Sequence, residues 1–236
     1  MSSSPSTPLR LAATALPIRD TSTGLEVLMV KRNQELTFGG MWTFPGGVFE
    51  PEDGPVPEIS DEFSTNWASP AMLATAANAA ARETREETAI RVSTATLAWY
   101  SHWIPPTSAR KRYATWFFLA PESAGEVEVD ERENSDARWV HAGDAIANRA
   151  GDLAMIAPTW CTLYDIAKAT TVSALLDETI TQGPRYYHTR LQKDAGKAWL
   201  VWPGDAAYES GELDADGDRN RAAIDREFRV IDRVMS

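Results

Sequence analysis

The sequence predicts an α/β protein on three observations. Strand-type runs open the chain at Leu9–Ile18 and Leu25–Lys31, bounded by turn residues. A stretch rich in alanine, from Pro70 to Thr88, has the composition and start signal of a helix. Strand-like runs return at Thr96–Trp103 and Tyr113–Leu119, so strands stand on both sides of that helix.

Each element has its own warrant. The first two strands meet at the turn Asp20–Thr21–Ser22–Thr23–Gly24, and the second holds the apolar run Val27–Leu28–Met29–Val30. Gly39–Gly40 breaks the chain, and Trp42–Phe44 is a short extended piece. Pro45–Gly46–Gly47 is a loop whose backbone can approach a ligand closely, because glycine has no Cβ. Residues 51–69 are rich in proline, acidic and without period, which predicts an irregular surface insert. Ser69–Pro70 starts the helix, with serine as cap and proline in the first turn. Ala76, Ala79 and Ala80 project on the side of the glutamates that end this helix. Small residues there let the glycine loop lie close to the carboxylates, and alanines also serve simply as helix formers. Arg138–Trp139–Val140 is a further short strand, and a helix begins over residues 142–150. Beyond Pro158 come helical stretches to Lys168 and over Val172–Thr181. A hairpin follows around Asp194–Ala195–Gly196, with Trp199–Trp202 as its apolar half, and an amphipathic helix starts at about Arg219. The expected organisation is a core over residues 9–157, with an insert at 54–69, and a mainly helical extension over 158–236 packed on it.

Bulk properties narrow the function. A chain of 236 residues is long enough to bury a sizeable core. The net charge of −11 argues against broad nucleic-acid binding, which needs a basic footprint. It also repels anions at long range, so a site for an anionic ligand needs local cations. Arg110–Lys111–Arg112 is the first candidate cluster and Lys31–Arg32 the second, each set against a solvated loop. The single cysteine, Cys161, allows no internal disulfide and suits a reducing compartment. Its apolar, helical surroundings mark it as a core thiol. His102, His141 and His188 show no metal-ligand spacing. No run approaches the roughly 20 apolar residues of a membrane span, and the polar start lacks the regions of a signal peptide. A cytoplasmic protein with no membrane or nucleic-acid partner is expected. Asp214–Ala215–Asp216–Gly217–Asp218 begins like a calcium loop, but Arg219 and Asp225 stand where Gly and Glu are required, so it reads as a solvated turn.

The most informative run is Arg82–Glu83–Thr84–Arg85–Glu86–Glu87–Thr88–Ala89–Ile90, preceded by Phe44–Pro45–Gly46–Gly47 and Glu50. At about 100° per residue, Glu83, Glu86 and Glu87 fall within roughly a 100° arc of the helix. Like charges at such spacings cost a few tenths of a kcal/mol each. A divalent cation between them reverses that cost, and hard cations such as Mg2+ take oxygen ligands and complete their shell with substrate phosphates. The face reads as a place to hold metal against a phosphorylated ligand; the alternative is a solvated, salt-bridged face.

In order and spacing these residues resemble the Nudix box, the signature of Nudix hydrolases: Gly, five residues, an acid, seven residues, then Arg-Glu-apolar-x-Glu-Glu-x-Gly-apolar. Gly47 and Asp53 match the first half and Arg82 to Ile90 the second. Asp53 stands for the usual Glu, Ala89 stands for the usual Gly, and residues 54–81 fill the gap of seven. The likeness extends from about Leu9 to Pro203. It implies an α/β/α sandwich around a mixed sheet and the metal-dependent hydrolysis of a diphosphate linkage, with Mg2+ or Mn2+ as cofactor.

The resemblance also implies roles. Glu83, Glu86 and Glu87 would hold the cation with a backbone carbonyl of Gly46 or Gly47, and Glu87 would also be catalytic. Arg82 would pair with Glu50 and hold the loop on the helix. Glu133, in the acidic stretch before Trp139–Val140, matches the place of a catalytic base, with Asp130, Glu131 and Asp136 beside it as alternatives. Arg32, Arg110, Arg112 and Trp103 would contact substrate, as would Trp42, and the insert would lie near the substrate mouth. The long insert, and the approach from Gly40 to Gly47, resemble the coenzyme A diphosphatase branch, although Leu36–Thr37 occupy the region of that branch's second basic residue. Coenzyme A or an acyl-coenzyme A is the first substrate expected. ADP-ribose, nucleotide sugars and dinucleoside polyphosphates remain alternatives, and a catalytically silent nucleotide sensor is the alternative of another class. A homodimer is left open.

Overall fold

Strand β1 (Leu9–Thr21) opens the chain, and β2 (Gly24–Arg32), β3 (Trp42–Thr43) and β4 (Gly46–Val48) follow it. The helix α1 (Pro70–Thr88) comes next, then β5 (Arg91–Val92), β6 (Ala98–Ile104), β7 (Arg112–Ala120), β8 (Ser123–Ala124) and β9 (Asn134–His141). After them run α2 (Ala142–Ala147), α3 (Ala157–Ile166), α4 (Val172–Gln182), β10 (Arg185–His188), β11 (Arg190–Asp194) and β12 (Lys197–Val201). The chain closes with α5 (Ala207–Ser210), β13 (Asn220–Ile224) and β14 (Val230–Met235). This is a computed structural model, described for residues 8–36, 38–59, 65–121, 123–148, 151–194, 196–226 and 229–235. The polar start at 1–7, Thr37, insert residues 60–64, the last two residues of the expected 142–150 helix and Ala195 of the hairpin lie outside the described residues.

The main sheet has the strand order β10-β6-β7-β1-β2-β3, with β4 also on β1 and β9 also on β2. It is mixed: β1 runs parallel to β7 and β10 parallel to β6, while β1/β2, β2/β9 and β6/β7 are antiparallel. A parallel neighbour needs a crossover, and α1 lies within the one that joins β1 to β7.

Alternation along β1 divides the molecule into two cores. Leu16 and Ile18 face Val27 and Met29 and the buried sides of α2, α3 and α4. Ala13 and Ala15 face the other way, toward Ala76, Ala79 and Ala80 of α1. The expected α/β/α sandwich with a mixed sheet is therefore present. The three alanines seat α1 closely on β1. Among the described residues, no helix is long and apolar enough to cross a membrane.

Two expectations change. The last segment, expected to be helical from Arg219, is the β13–β14 hairpin, joined to β11–β12 in a second, four-stranded sheet. Four consecutive buried residues, Arg221 to Ile224, suit a strand with both faces covered. The i,i+4 pair Asp225–Arg229, at 2.8 Å, closes the turn of the hairpin. The insert is also not confined to the surface. Trp67 is buried with Met72, Ile104 and Trp116, and its carbonyl accepts the Trp116 indole N–H at 3.1 Å. From Asp53 the insert runs back along α1. The Asp53 carbonyl accepts from Asn78 at 2.9 Å and the Pro55 carbonyl from Thr75 at 2.7 Å. Its described part thus leads away from the glutamate end of the helix.

Candidate active site at the end of helix α1

Helix α1 is capped at its start by Ser69, whose hydroxyl accepts the Met72 N–H. It ends at Ala89, which adopts a left-handed conformation with φ of 59°. That stop leaves Glu83, Glu86 and Glu87 in the last turns. Glu87 is buried beneath the Gly46–Gly47 strand, and the Gly46 N–H donates to its Oε2 at 3.1 Å. Its Oε1 has no hydrogen-bond partner. Burial raises the Glu87 carboxyl to about 8, against the pull of Arg32 and of the Gly46 N–H. Glu83 is half-buried and is also raised by burial, against the pull of Arg82.

Close approach requires glycine at 46, where a Cβ would stand 2.5 Å from the Ala13 carbonyl oxygen. At Gly47 a Cβ would stand 2.3 Å from the carboxylate end of the Glu83 side chain, which would have to move aside. Strand β4 pairs with β1 at these residues, Ala13 opposite Gly47 and Thr14 opposite Gly46. The sheet therefore presses the glycine backbone onto the carboxylates.

Arg82 organises the loop, with a partner other than the one expected. Its guanidinium makes two 2.9 Å bonds to Asp53 and one of 3.0 Å to the Val48 carbonyl. Glu50 is solvent-exposed, and its backbone N–H donates to Asp53 at 2.7 Å. Asp53 is the shorter acid, and the short turn Pro51–Asp53 brings it within reach of Arg82. The remaining nitrogen, Nη1, binds Glu83 Oε1 at 2.9 Å and Glu86 Oε2 at 3.1 Å. A positive group thus already lies between two of the proposed ligands. Among the described residues, no three His, Cys, Asp or Glu side chains stand close enough together to hold a metal ion as they are. The donor chemistry nonetheless fits a hard cation. Glu87 offers a buried carboxyl oxygen that makes no hydrogen bond and has only the Arg32 guanidinium 3.7 Å away, an oxygen donor that a hard cation can take up.

Arg32 and Glu133 join this end of the molecule. Arg32 Nη1 lies 3.7 Å from Glu87 Oε1, and the Glu133 charge acts on both Glu83 and Glu87. The Glu133 carbonyl accepts the Asn33 N–H at 2.9 Å, and the Asp130 N–H donates to the Glu87 carbonyl at 3.1 Å. The acidic stretch is thereby tied to both β2 and α1. Among the alternatives, Asp130 is bound by Arg132 at 2.8 Å, which holds its carboxyl below the ordinary range, and Asp136 is bound by Arg138 at 2.6 Å. Glu131 is exposed.

The other expected contacts lie elsewhere. Arg112 is buried at the start of β7, opposite Leu9, and Arg110 is exposed just before it. Leu9 is four and five residues from the β1 positions that pair with Gly47 and Gly46, which is roughly 13 to 17 Å of strand. Trp103 is a core residue stacked on Tyr187 at 3.8 Å, and Trp42 is fully buried under Arg138. Large aromatics supply buried area wherever a core is available, and the fold takes up both. Cys161 is buried in α3, where burial pushes its thiol up to about 12. Asn134 is buried opposite Arg32, and its only signal in the sequence is its position next to Glu133.

Comparison with known proteins agrees with this geometry. The family model described as the NUDIX domain matches residues 8–158. A Nudix hydrolase from Alicyclobacillus acidocaldarius superposes with a TM-score of 0.58 at 24% identity, covering 72% of this chain and 96% of that one. A MutT Nudix hydrolase from Burkholderia pseudomallei gives 0.48 at 18% identity, covering 68% and 99%. The Nudix domain of Shewanella oneidensis NrtR, solved with ADP ribose, gives 0.48 at 16% identity, covering 69% and 88%. The comparison with curated proteins gives no match. With the domain matched over most of its length, and with the box residues folded around the end of α1, the chain belongs to the Nudix hydrolase family.

Proposed function

We propose that the chain hydrolyses the diphosphate linkage of a nucleoside diphosphate derivative at the Glu83–Glu87 end of α1, with Mg2+ or Mn2+ as cofactor. The observation that carries this reading is Glu87. It is a buried carboxyl group with one oxygen that makes no hydrogen bond and faces only the Arg32 guanidinium at 3.7 Å, beneath the glycine strand and within the field of Glu133. Glu87 and Glu83 would hold the cation with a carbonyl of Gly46 or Gly47, and Glu86 would join once it leaves Arg82. When bound, the cation supplies charge neutralisation to the phosphates and acidity to a water.

The chain's own residues do the remainder. Arg32, partly exposed beside Glu87, is placed to bind a phosphate oxygen and offset the protein's negative field. Glu133 takes the proton from the attacking water as the new P–O bond forms, and the anhydride P–O bond breaks to release the second phosphate. Arg82, fixed by Asp53, keeps the glycine strand against the carboxylates, and positioning of this kind is most of what phosphoryl transfer asks of a protein. The buried thiol of Cys161 supports no acyl-transfer alternative.

Coenzyme A or an acyl-coenzyme A is the finer reading, supported by the long insert between Asp53 and Arg82. The test is incubation with Mg2+ and a panel of diphosphates in 18O-water, read by mass spectrometry. Hydrolysis of a panel member with one 18O on a phosphate is expected. From coenzyme A the products are 4′-phosphopantetheine and 3′,5′-adenosine diphosphate. Binding without any release would make the protein a sensor, and loss of the acyl group alone would mean thioesterase chemistry.

A further inference from the structure

We propose that Asn134 gives the cation at Glu87 a neutral oxygen donor through its side-chain carboxamide; this rests on the metal-dependent reading of the site above. Asn134 begins β9, directly opposite Arg32 of β2. Opposite residues of an antiparallel pair project to the same face, and the Arg32 guanidinium reaches Glu87 at 3.7 Å. The register explains how Asn134 comes to that face. Lys31 stands opposite Asp136 and Arg32 opposite Asn134, so Ser135 is an extra residue in β9. Without this bulge Ser135 would oppose Arg32, and Asn134 would turn to the other side of the sheet.

A backbone turn then fixes Asn134 against the end of α1. Its N–H donates to the Asp130 carbonyl at 3.0 Å, and the Asp130 N–H donates to the Glu87 carbonyl at 3.1 Å. The side chain is fully buried, and neither Oδ1 nor Nδ2 has a hydrogen-bond partner. Leaving a buried polar group unmade costs about 1–3 kcal/mol, and an apolar residue of the same shape would avoid that cost. The fold alone therefore gives no reason for asparagine here. Neither the Asn134 amide nor Glu87 Oε1 makes a hydrogen bond; the Asp130 turn and the pairing with Arg32 bring both residues to the same end of α1, where a shared ligand would satisfy both.

The surroundings choose the kind of ligand. Glu83, Glu87 and Glu133 bring three carboxylates against two guanidiniums, Arg32 on Glu87 and Arg82 on Glu83. That excess disfavours an anion and favours a hard cation, which takes asparagine carbonyl oxygens alongside carboxylates.

The experiment measures Mn2+ binding to the full chain by electron paramagnetic resonance and calorimetry, with metal-free melting alongside. Asn134→Leu is expected to melt at or above the wild-type temperature without metal, and to bind Mn2+ about tenfold more weakly or worse. Asn134→Asp, which keeps an oxygen donor and adds charge, is expected to bind at least as tightly as wild type. A folded Asn134→Leu protein with wild-type Mn2+ affinity would overturn the proposal while leaving the metal site standing. If Asn134→Leu does not fold, weaker binding by Asn134→Asp overturns it instead. Absence of Mn2+ binding in the wild type removes the metal-dependent reading itself, and this inference with it.

Discussion

Arg82 grips Asp53 with two parallel hydrogen bonds of 2.9 Å, Nε to Oδ1 and Nη2 to Oδ2, across 29 positions of sequence. Fork-to-carboxylate geometry of this kind is among the stronger polar contacts, and both side chains are largely buried. Asp53→Asn removes the charge of the paired fork and leaves Arg82 with the carboxylates of Glu83 and Glu86 alone. A loss of about 1.5–3 kcal/mol in urea denaturation is expected, while Glu50→Gln should change stability by less than about 0.5 kcal/mol. Equal losses from the two variants would mean that Glu50 shares the work.

Ala89 holds a left-handed conformation, φ 59°, at the end of α1. A non-glycine residue there costs roughly 1–2 kcal/mol, partly offset by the freer unfolded chain that glycine brings. Ala89→Gly should therefore stabilise the protein by about 1 kcal/mol, or roughly 2–4 °C in melting temperature. A lower melting temperature would show that the methyl group makes compensating contacts.

The insert is expected to behave as two parts. Trp67 is buried and packs on Trp116 with ring centroids 5.4 Å apart, so Trp67→Ala should cost about 3–5 kcal/mol. Val56 in the same insert is exposed, and Val56→Ser should stay within about 0.5 kcal/mol. Denaturation curves of the two variants decide whether the insert is part of the core.

Glu87 links stability to pH. Its folded carboxyl sits at about 8, above the ordinary value of 4.5. Below about pH 4.5 both states keep the proton. Between there and pH 8 the unfolded chain ionises while the folded one does not, so the metal-free protein should lose stability as pH rises through that window. Above pH 8 this group contributes no further change. Urea midpoints from pH 5 to 9 should fall in the wild type and stay flatter in Glu87→Gln. Mn2+ binding at pH 7 should release a proton, visible as a binding heat that depends on the buffer.

The sandwich and much of the site were legible in the sequence, because strand and helix periods and the spacing of box residues are local signals. Gly46, Gly47, Arg82, Glu83, Glu86, Glu87, Arg32 and Glu133 come together at one end of α1. What stayed hidden depends on long-range geometry. The choice of Asp53 over Glu50 turns on a short helical turn, and the burial of Trp67 depends on a core built from β6 and β7. Asn134 reaches the site only through a bulge in β9, which no spacing rule announces. The β13–β14 hairpin reads as an amphipathic helix in the sequence, and its closing pair, Asp225 and Arg229, also falls at helical spacing. Trp103, Arg110 and Arg112 carried the chemistry of substrate contacts, but the register of β7 on β1 sets the two arginines away from the carboxylates.

The most direct measurement compares wild type and Glu87→Gln for Mg2+-dependent hydrolysis of the diphosphate that the wild type cleaves best, with folding checked by circular dichroism. The substitution keeps the size of the side chain and removes its negative charge. Turnover is expected to fall about a hundredfold or more in a protein that remains folded and, without metal, is at least as stable as wild type. A folded Glu87→Gln protein that binds Mg2+ and turns over at the wild-type rate would contradict the placement of the reaction at the end of α1.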